Sequence, residues 1–323
     1  MNPQAVINFR RIGIITIAAV YLVILMGGIV RASGAGMGCP DWPKCFGQWV
    51  PPTSEAELPA NYHEIYAERG YQNTQFNPTK TWTEYTNRLV GVSIGLLIFL
   101  TAVSSRIFLK SDKTIFYLSL TSFFLVGFQG WLGSSVVASN LKPVVITLHM
   151  LLALVIVALL IYTIARSQRE FLSQIDTSGL PDKFKTVLVA AMLMTLIQIA
   201  MGTQVREAVD FISRAAIDRQ YWRDDFPVIF YVHRSFSSII LFTNLWLVWQ
   251  LYQTVDKRGL LFRTGLTMAV LVVVAILAGV SLDRLGVPAV VQPVHLLMAN
   301  MILGAQFFLF SCYRYATAQR EAF

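Results

Sequence analysis

An all-α integral membrane protein, with eight spanning helices arranged as two pseudo-symmetric four-helix bundles, is the fold the sequence predicts. Three observations carry that prediction. The chain is 55% hydrophobic and only 14% charged, apolar runs long enough to cross a bilayer occur eight times, and its two halves echo each other at a constant offset. The balance is far more apolar than that of an average globular domain.

A span needs roughly 18 or more predominantly apolar residues to cross an apolar layer of about 30 Å. Such runs fall near 13–30, 84–108, 114–138, 143–165, 186–205, 227–252, 264–282 and 288–313. The first follows the short MNPQAVINFRR and ends in GGIVRASG, without the small-residue cleavage pattern of a removable signal, so it is expected to stay. Nothing resembles an Arg- and Ser-rich transit peptide, which favours a bacterial cytoplasmic (inner) membrane.

Orientation follows the basic residues. With the N-terminus inside, the inner segments hold 14 Lys and Arg against 6 acidic residues and the outer segments 12 against 12, so the net +8 lies inside. An N-in, C-in topology is expected, and loops facing anionic lipid account for the basic balance without a nucleic acid.

Two of the three cysteines, Cys39 and Cys45 in GCPDWPKCFG, fall in the first outer loop, residues 31–82. On an oxidising membrane face such a pair reads as a disulfide, either a structural staple or a redox-active pair. A zinc site would have only His63 as a further nearby ligand of the right kind, and Cys312 reads as a small buried apolar residue.

The offset between the halves is 146 residues: Asn87 aligns with His233, Arg88 with Arg234, Gly133 with Gly279 and His149 with His295. The first and fifth helices, ending GIVRASG and TQVREAV, pair at a different offset because the loops that follow differ in length. Residues 1–170 and 171–323 then form two units in the same orientation. Positions 87, 149, 233 and 295 are expected at one level, roughly 8 to 10 Å below the outer helix ends at 1.5 Å per residue.

Two facing imidazoles, His233 and His295, suit the axial positions of a haem iron, although a hydrogen-bonded structural pair would place them similarly. Arg31, Arg88, Arg206 and Arg234 stand at the outer mouths, where guanidinium groups can bind propionates or act as interfacial anchors. Glu84 lacks a counterpart in the second half, where Phe230 stands. It is either a helix-terminal charge paired with Arg88 or a proton acceptor.

With GIVRASGAGMGCPDWPKC, EYTNRLVG, LHM at His149, YVHRSFS at His233 and QPVHLLMAN at His295, the chain resembles the haem A synthase family over nearly its whole length. The resemblance implies a membrane oxidoreductase that converts the C8 methyl of haem O to a formyl group through hydroxylated intermediates, giving haem A for terminal oxidases. It implies haem B on His233 and His295, served by Arg206 and Arg234, and a substrate haem in the N-terminal half near His149, Arg31, Arg88 and Glu84. Haem O synthase, oxidase assembly factors and an electron-transfer protein are the implied partners, with both haem sites toward the outer face.

The family's first-half motif is a Glu followed three residues later by a His; here Glu84 is followed by Asn87. The substrate iron would then be open or water-bound on the Asn87 side, with His149 as its protein ligand. A two-haem b-type electron carrier, an inactive haem-binding homologue and a parallel-repeat transporter are the competing readings.

Overall fold

The computed structural model describes residues 2–214, Trp222 and residues 225–318. Ten α-helices are present among them: α1 (Pro3–Ala32), α2 (Tyr62–Ile65), α3 (Pro78–Ser104), α4 (Lys113–Ala138), α5 (Pro143–Arg166), α6 (Arg169–Leu172), α7 (Phe184–Arg214), α8 (Val228–Thr254), α9 (Leu260–Arg284) and α10 (Val291–Ala318). All but the short α2 and α6 are long and apolar enough to cross a membrane, giving the eight spans expected. The chain is a multi-pass membrane protein in contact with lipid. Buried residues make up only 11% to 44% of each span's most apolar window, and the large apolar side chains left uncovered, such as Val92, Leu96 and Phe99 on α3, supply the lipid face.

Helix starts follow local chemistry. Asn2 caps α1 by accepting from the Gln4 N–H, Asn77 caps α3 by accepting from the Lys80 N–H, and Pro3 and Pro78 occupy first-turn positions where no backbone donor is needed. The α3 helix begins six residues before the run at 84–108. Its first turns, TKTWTE, are too polar for a hydropathy window, yet their polar face is used by the preceding loop.

Contacts group the chain into two compact units, Met1–Ile156 and Val157–Phe323. In the first unit α1 packs antiparallel on α3: Phe9 meets Phe108 edge-on at 5.0 Å, and the Thr16 and Thr101 hydroxyls bond at 2.9 Å. The α4 helix packs on α3, with Phe99 and Phe123 rings 5.4 Å apart.

The loop between α1 and α3 is a small folded body. Phe46 sits at its centre, with the rings of Tyr62, Tyr66, Tyr71 and Phe76 edge-on around it at 5.2 to 6.5 Å. The Cys39–Cys45 disulfide closes it, and the Asp41 carboxylate accepts from the N–H groups of Phe46 (2.6 Å) and Gly47 (2.8 Å). The far side is stitched to the end of α4: Arg69 donates to the Ala138 carbonyl at 2.5 Å, and Asn140 donates to the Glu68 carbonyl at 2.9 Å.

In the second unit α7 packs on α8, α8 on α9, α9 on α10, and α10 returns to α7. Its core contains fully buried Phe184, Leu188, Leu247, Leu251, Met268 and Leu309. Gln306 donates to the Asn244 amide oxygen at 3.0 Å, a buried amide pair joining α10 to α8.

Candidate functional site

Thr81, Glu84 and Arg88 lie three and four residues apart on α3 and so form one stripe of that helix. Each holds the backbone of the disulfide loop. Thr81 donates to the Gly38 carbonyl at 2.9 Å. Glu84, only 4% exposed, accepts from the Cys39 N–H at 2.8 Å through Oε2 and from Arg88 at 2.5 Å through Oε1. Arg88 in turn donates to the carbonyls of Asp41 (2.7 Å), Lys44 (2.9 Å) and Cys39 (3.1 Å). The i, i+4 ion pair read from the sequence is thus present, and both terminal nitrogens of the guanidinium are committed to the loop and to Glu84.

The loop approaches α3 closely at Gly38, where an added Cβ would lie 2.4 Å from the Lys80 carbonyl oxygen. No side chain fits there. Tyr71 completes the seat by donating to the Met37 carbonyl at 2.9 Å; burial, then the nearby Glu84 carboxylate, raises its phenol above the ordinary tyrosine value. His63 belongs to the loop itself, its Nδ1 2.7 Å from the Tyr71 carbonyl and its ring 4.0 Å from Tyr62. A cavity of about 620 Å³ lies between the loop and the C-terminal end of α4, lined by Asp41, Trp42, Tyr66, Arg69, Ser134 and Ala138, among others.

Asn87 follows Glu84 by one turn, and its Oδ1 is buried without a hydrogen-bond partner. His149 of α5 lies against α4, where a Cβ on Gly133 would stand 3.3 Å from its Cε1. One turn earlier on α4, Gln129 donates to the His149 backbone carbonyl at 2.9 Å. Arg31 stands in the last turn of α1.

The second unit repeats this seat twice. His233 lies against Gly202, whose added Cβ would be 3.4 Å from its Cε1, and Gln198, four residues before that glycine, donates to the His233 carbonyl at 2.9 Å. His295 lies against Gly279 at 3.3 Å, and Ala275, again four residues earlier, accepts from its Nδ1 at 2.9 Å. A carbonyl partner makes Nδ1 the protonated nitrogen and leaves the Nε2 lone pair of His295 for a metal.

The His233 and His295 rings face each other with centroids 6.3 Å apart and planes at 72°. Two metal–imidazole bonds of about 2 Å each, plus half a ring on either side, span a gap of that order, so the pair fits one iron between two nitrogens. Among the described residues no group of three or more His, Cys, Asp or Glu gathers to hold a bare metal ion. A haem, which would bring four ligands of its own, would need only two from the protein.

Around that pair, Arg206 meets Asp210 at 2.8 Å and donates to the Gln292 amide oxygen. Arg234 lies 3.5 Å from Asp283 and 5.3 Å above the Tyr231 ring. Gln129 and Gln198 are amides inside spans, a residue type that commonly bonds between helices. Their shared spacing of four residues before Gly133 and Gly202 is the signal that marks them as histidine seats.

A family profile described as cytochrome oxidase assembly protein, COX15-CtaA, matches residues 10–307. The chain is 34% identical to the heme A synthase of Shewanella oneidensis over 164 residues, which covers 51% of this chain and 47% of that protein. It is 31% identical to the heme A synthase of Shouchella clausii over 143 residues, covering 44% and 40%. A longer match, 25% identical over 301 residues, covers 82% of this chain and 84% of the heme A synthase of Azorhizobium caulinodans. In the first two the matched stretch is less than half of the relative's length.

Proposed function

The chain belongs to the COX15-CtaA family of cytochrome oxidase assembly proteins, and from that premise we propose that it is a haem A synthase. Its reaction would oxidise the C8 methyl of haem O to a formyl group through hydroxylated intermediates and loss of water, in a bacterial inner membrane. The observation that carries the reading is the facing of His233 and His295 at 6.3 Å, with the His295 tautomer set by Ala275.

On this reading His233 and His295 hold haem B, which supplies one-electron redox chemistry when bound. Arg206 and Arg234 serve its propionates, Asp210 and Asp283 being their partners in the structure described above. His149, backed by Gly133 and Gln129, takes the iron of the substrate haem, and Arg31 is the candidate for a substrate propionate. Arg88 acts on that site through the loop it grips. Glu84 is the proton acceptor for methyl oxidation, its carboxylate oriented by Cys39 and Arg88. Both sites would open toward the outer face, with haem O synthase, oxidase assembly factors and an electron-transfer protein as partners.

The test is chromatography of haems extracted from the purified protein, expressed with and without a co-expressed supply of haem O. The expected result is haem A, or its hydroxymethyl precursor, only when haem O is supplied, with neither formed by Glu84→Ala. Haem B alone in the presence of abundant haem O would reject the reading and leave an electron carrier or an inactive homologue.

A further inference from the structure

Three histidines in this protein share one kind of seat: the ring edge of His149, His233 and His295 lies against a glycine on the neighbouring helix, at Gly133, Gly202 and Gly279. A fourth glycine, Gly27 of α1, occupies the position in MGGIVRA that Gly202 occupies in MGTQVRE. Nothing lies within 4 Å of a Cβ placed on Gly27. The Thr16–Thr101 bond fixes α1 against α3; eleven residues on from Thr16 and fourteen back from Thr101 bring Gly27 level with Asn87 to within about one turn. The glycine of the seat is therefore present, and the imidazole that fills the other three is not.

Asn87 leaves a second mark. Its Oδ1 is buried and accepts no hydrogen bond, and a buried acceptor left without a donor is costly. The room over Gly27 and the unmatched acceptor on Asn87 call for the same thing, a small molecule with a hydrogen-bond donor.

We propose that Gly27 and Asn87 frame a binding site for a small neutral Lewis base bearing an N–H or O–H, which occupies the position of the missing imidazole on the haem held by His149. This rests on reading His149 as the ligand of the substrate haem. The base offers its lone pair to the iron and its hydrogen to Asn87 Oδ1. Imidazole is the probe that matches the space, and 1-methylimidazole is its counterpart without the N–H.

The test titrates the haem-loaded protein with each probe and follows optical and electron paramagnetic resonance spectra. Haem content is measured separately, and the first-unit haem is defined as the fraction lost in His149→Ala. In the wild type that fraction is expected to be high-spin and to turn low-spin on adding imidazole, with 1-methylimidazole binding about 10-fold more weakly for want of one hydrogen bond. Asn87→His is expected to be low-spin without a probe and unresponsive to it. Gly27→Leu is expected to stay high-spin and lose the response, with the low-spin spectrum of the second-unit haem showing that the variant has folded. First-unit haem that is present in the wild type but already low-spin and indifferent to imidazole would overturn the proposal. If His149→Ala loses no haem at all, the reading of His149 fails, and this proposal fails with it.

Discussion

Glu84 and Arg88 meet at 2.5 Å one turn apart on α3, and each also bonds to the backbone between Cys39 and Lys44. The pair is mostly out of solvent, Arg88 at 13% and Glu84 at 5% side-chain exposure. Removing one member of a buried pair strands the other, at a cost of about 3–5 kcal/mol. Glu84→Ala is therefore expected to lower the thermal midpoint and open the loop to protease. Glu84→Gln, which keeps an acceptor for the Cys39 N–H, is expected to do less harm. Arg88→Lys keeps the charge but cannot match the guanidinium fork, so protease sensitivity is expected to rise in that variant too. An unchanged cleavage rate in Arg88→Lys would show that the fork does not hold the loop.

Gly38 is fixed by contact rather than by turn geometry. A methyl group there would stand 2.4 Å from the Lys80 carbonyl, so Gly38→Ala must move the loop off α3. Overpacking of this kind costs about 1–3 kcal/mol. Hydrogen exchange at Cys39 and at the first turn of α3 should speed up, while exchange in α7 to α10 should stay as it was.

The seat of Tyr71 makes the loop sensitive to alkali. Its folded-state phenol lies above the unfolded value of about 10, mainly through burial and secondarily through Glu84. Docking is then fully supported below about pH 10 and weakens as pH rises through the folded value, because the unfolded loop releases the proton first. Protease cleavage of the loop is expected to climb above about pH 10 in the wild type. In Tyr71→Phe, cleavage should be somewhat faster at neutral pH, for loss of the bond to Met37, and its rise in alkali should be shallower.

The glycine seats of the second unit allow little room. A Cβ on Gly279 would press the His295 ring at 3.3 Å, and the three further carbons of a leucine could not be housed without turning that ring. Gly279→Leu and Gly202→Leu are expected to lose most of the second-unit haem, measured as pyridine haemochrome per protein. Gly27→Ala, with nothing within 4 Å of the new methyl group, is expected to retain it.

The sequence disclosed what depends on composition, periodicity and repetition. Eight spans follow from hydropathy, the Cys39–Cys45 bridge from spacing and compartment, and the approach of His233 to His295 from their equal depth below the outer ends of their helices. It could not disclose where Glu84 and Arg88 spend their hydrogen bonds, because their partners stand 44 to 49 residues away along a loop without periodic structure: Cys39, Asp41 and Lys44 carry no pattern that points to α3. The early start of α3 was hidden for a related reason, since the polar turn that fails a hydropathy test is the turn that Gly38 and Cys39 cover. Gln129 and Gln198 lay between these cases, with a legible spacing and a role that needed the facing helix to interpret.

The α3 stripe holds its loop almost wholly by main-chain atoms: the carbonyls of Gly38, Cys39, Asp41 and Lys44 and the amide of Cys39. Every amino acid carries the carbonyls, and every one but proline the amide. Lys44 can be exchanged for an acidic, aromatic or small residue with its carbonyl still within reach of Arg88, and the same holds for surface positions such as Trp49, whose carbonyl accepts from the Tyr85 hydroxyl. Mutational drift is thereby uncoupled from attachment: the exposed chemistry of this loop is free to diverge toward whatever it meets outside the helices while its hold on α3 stays the same.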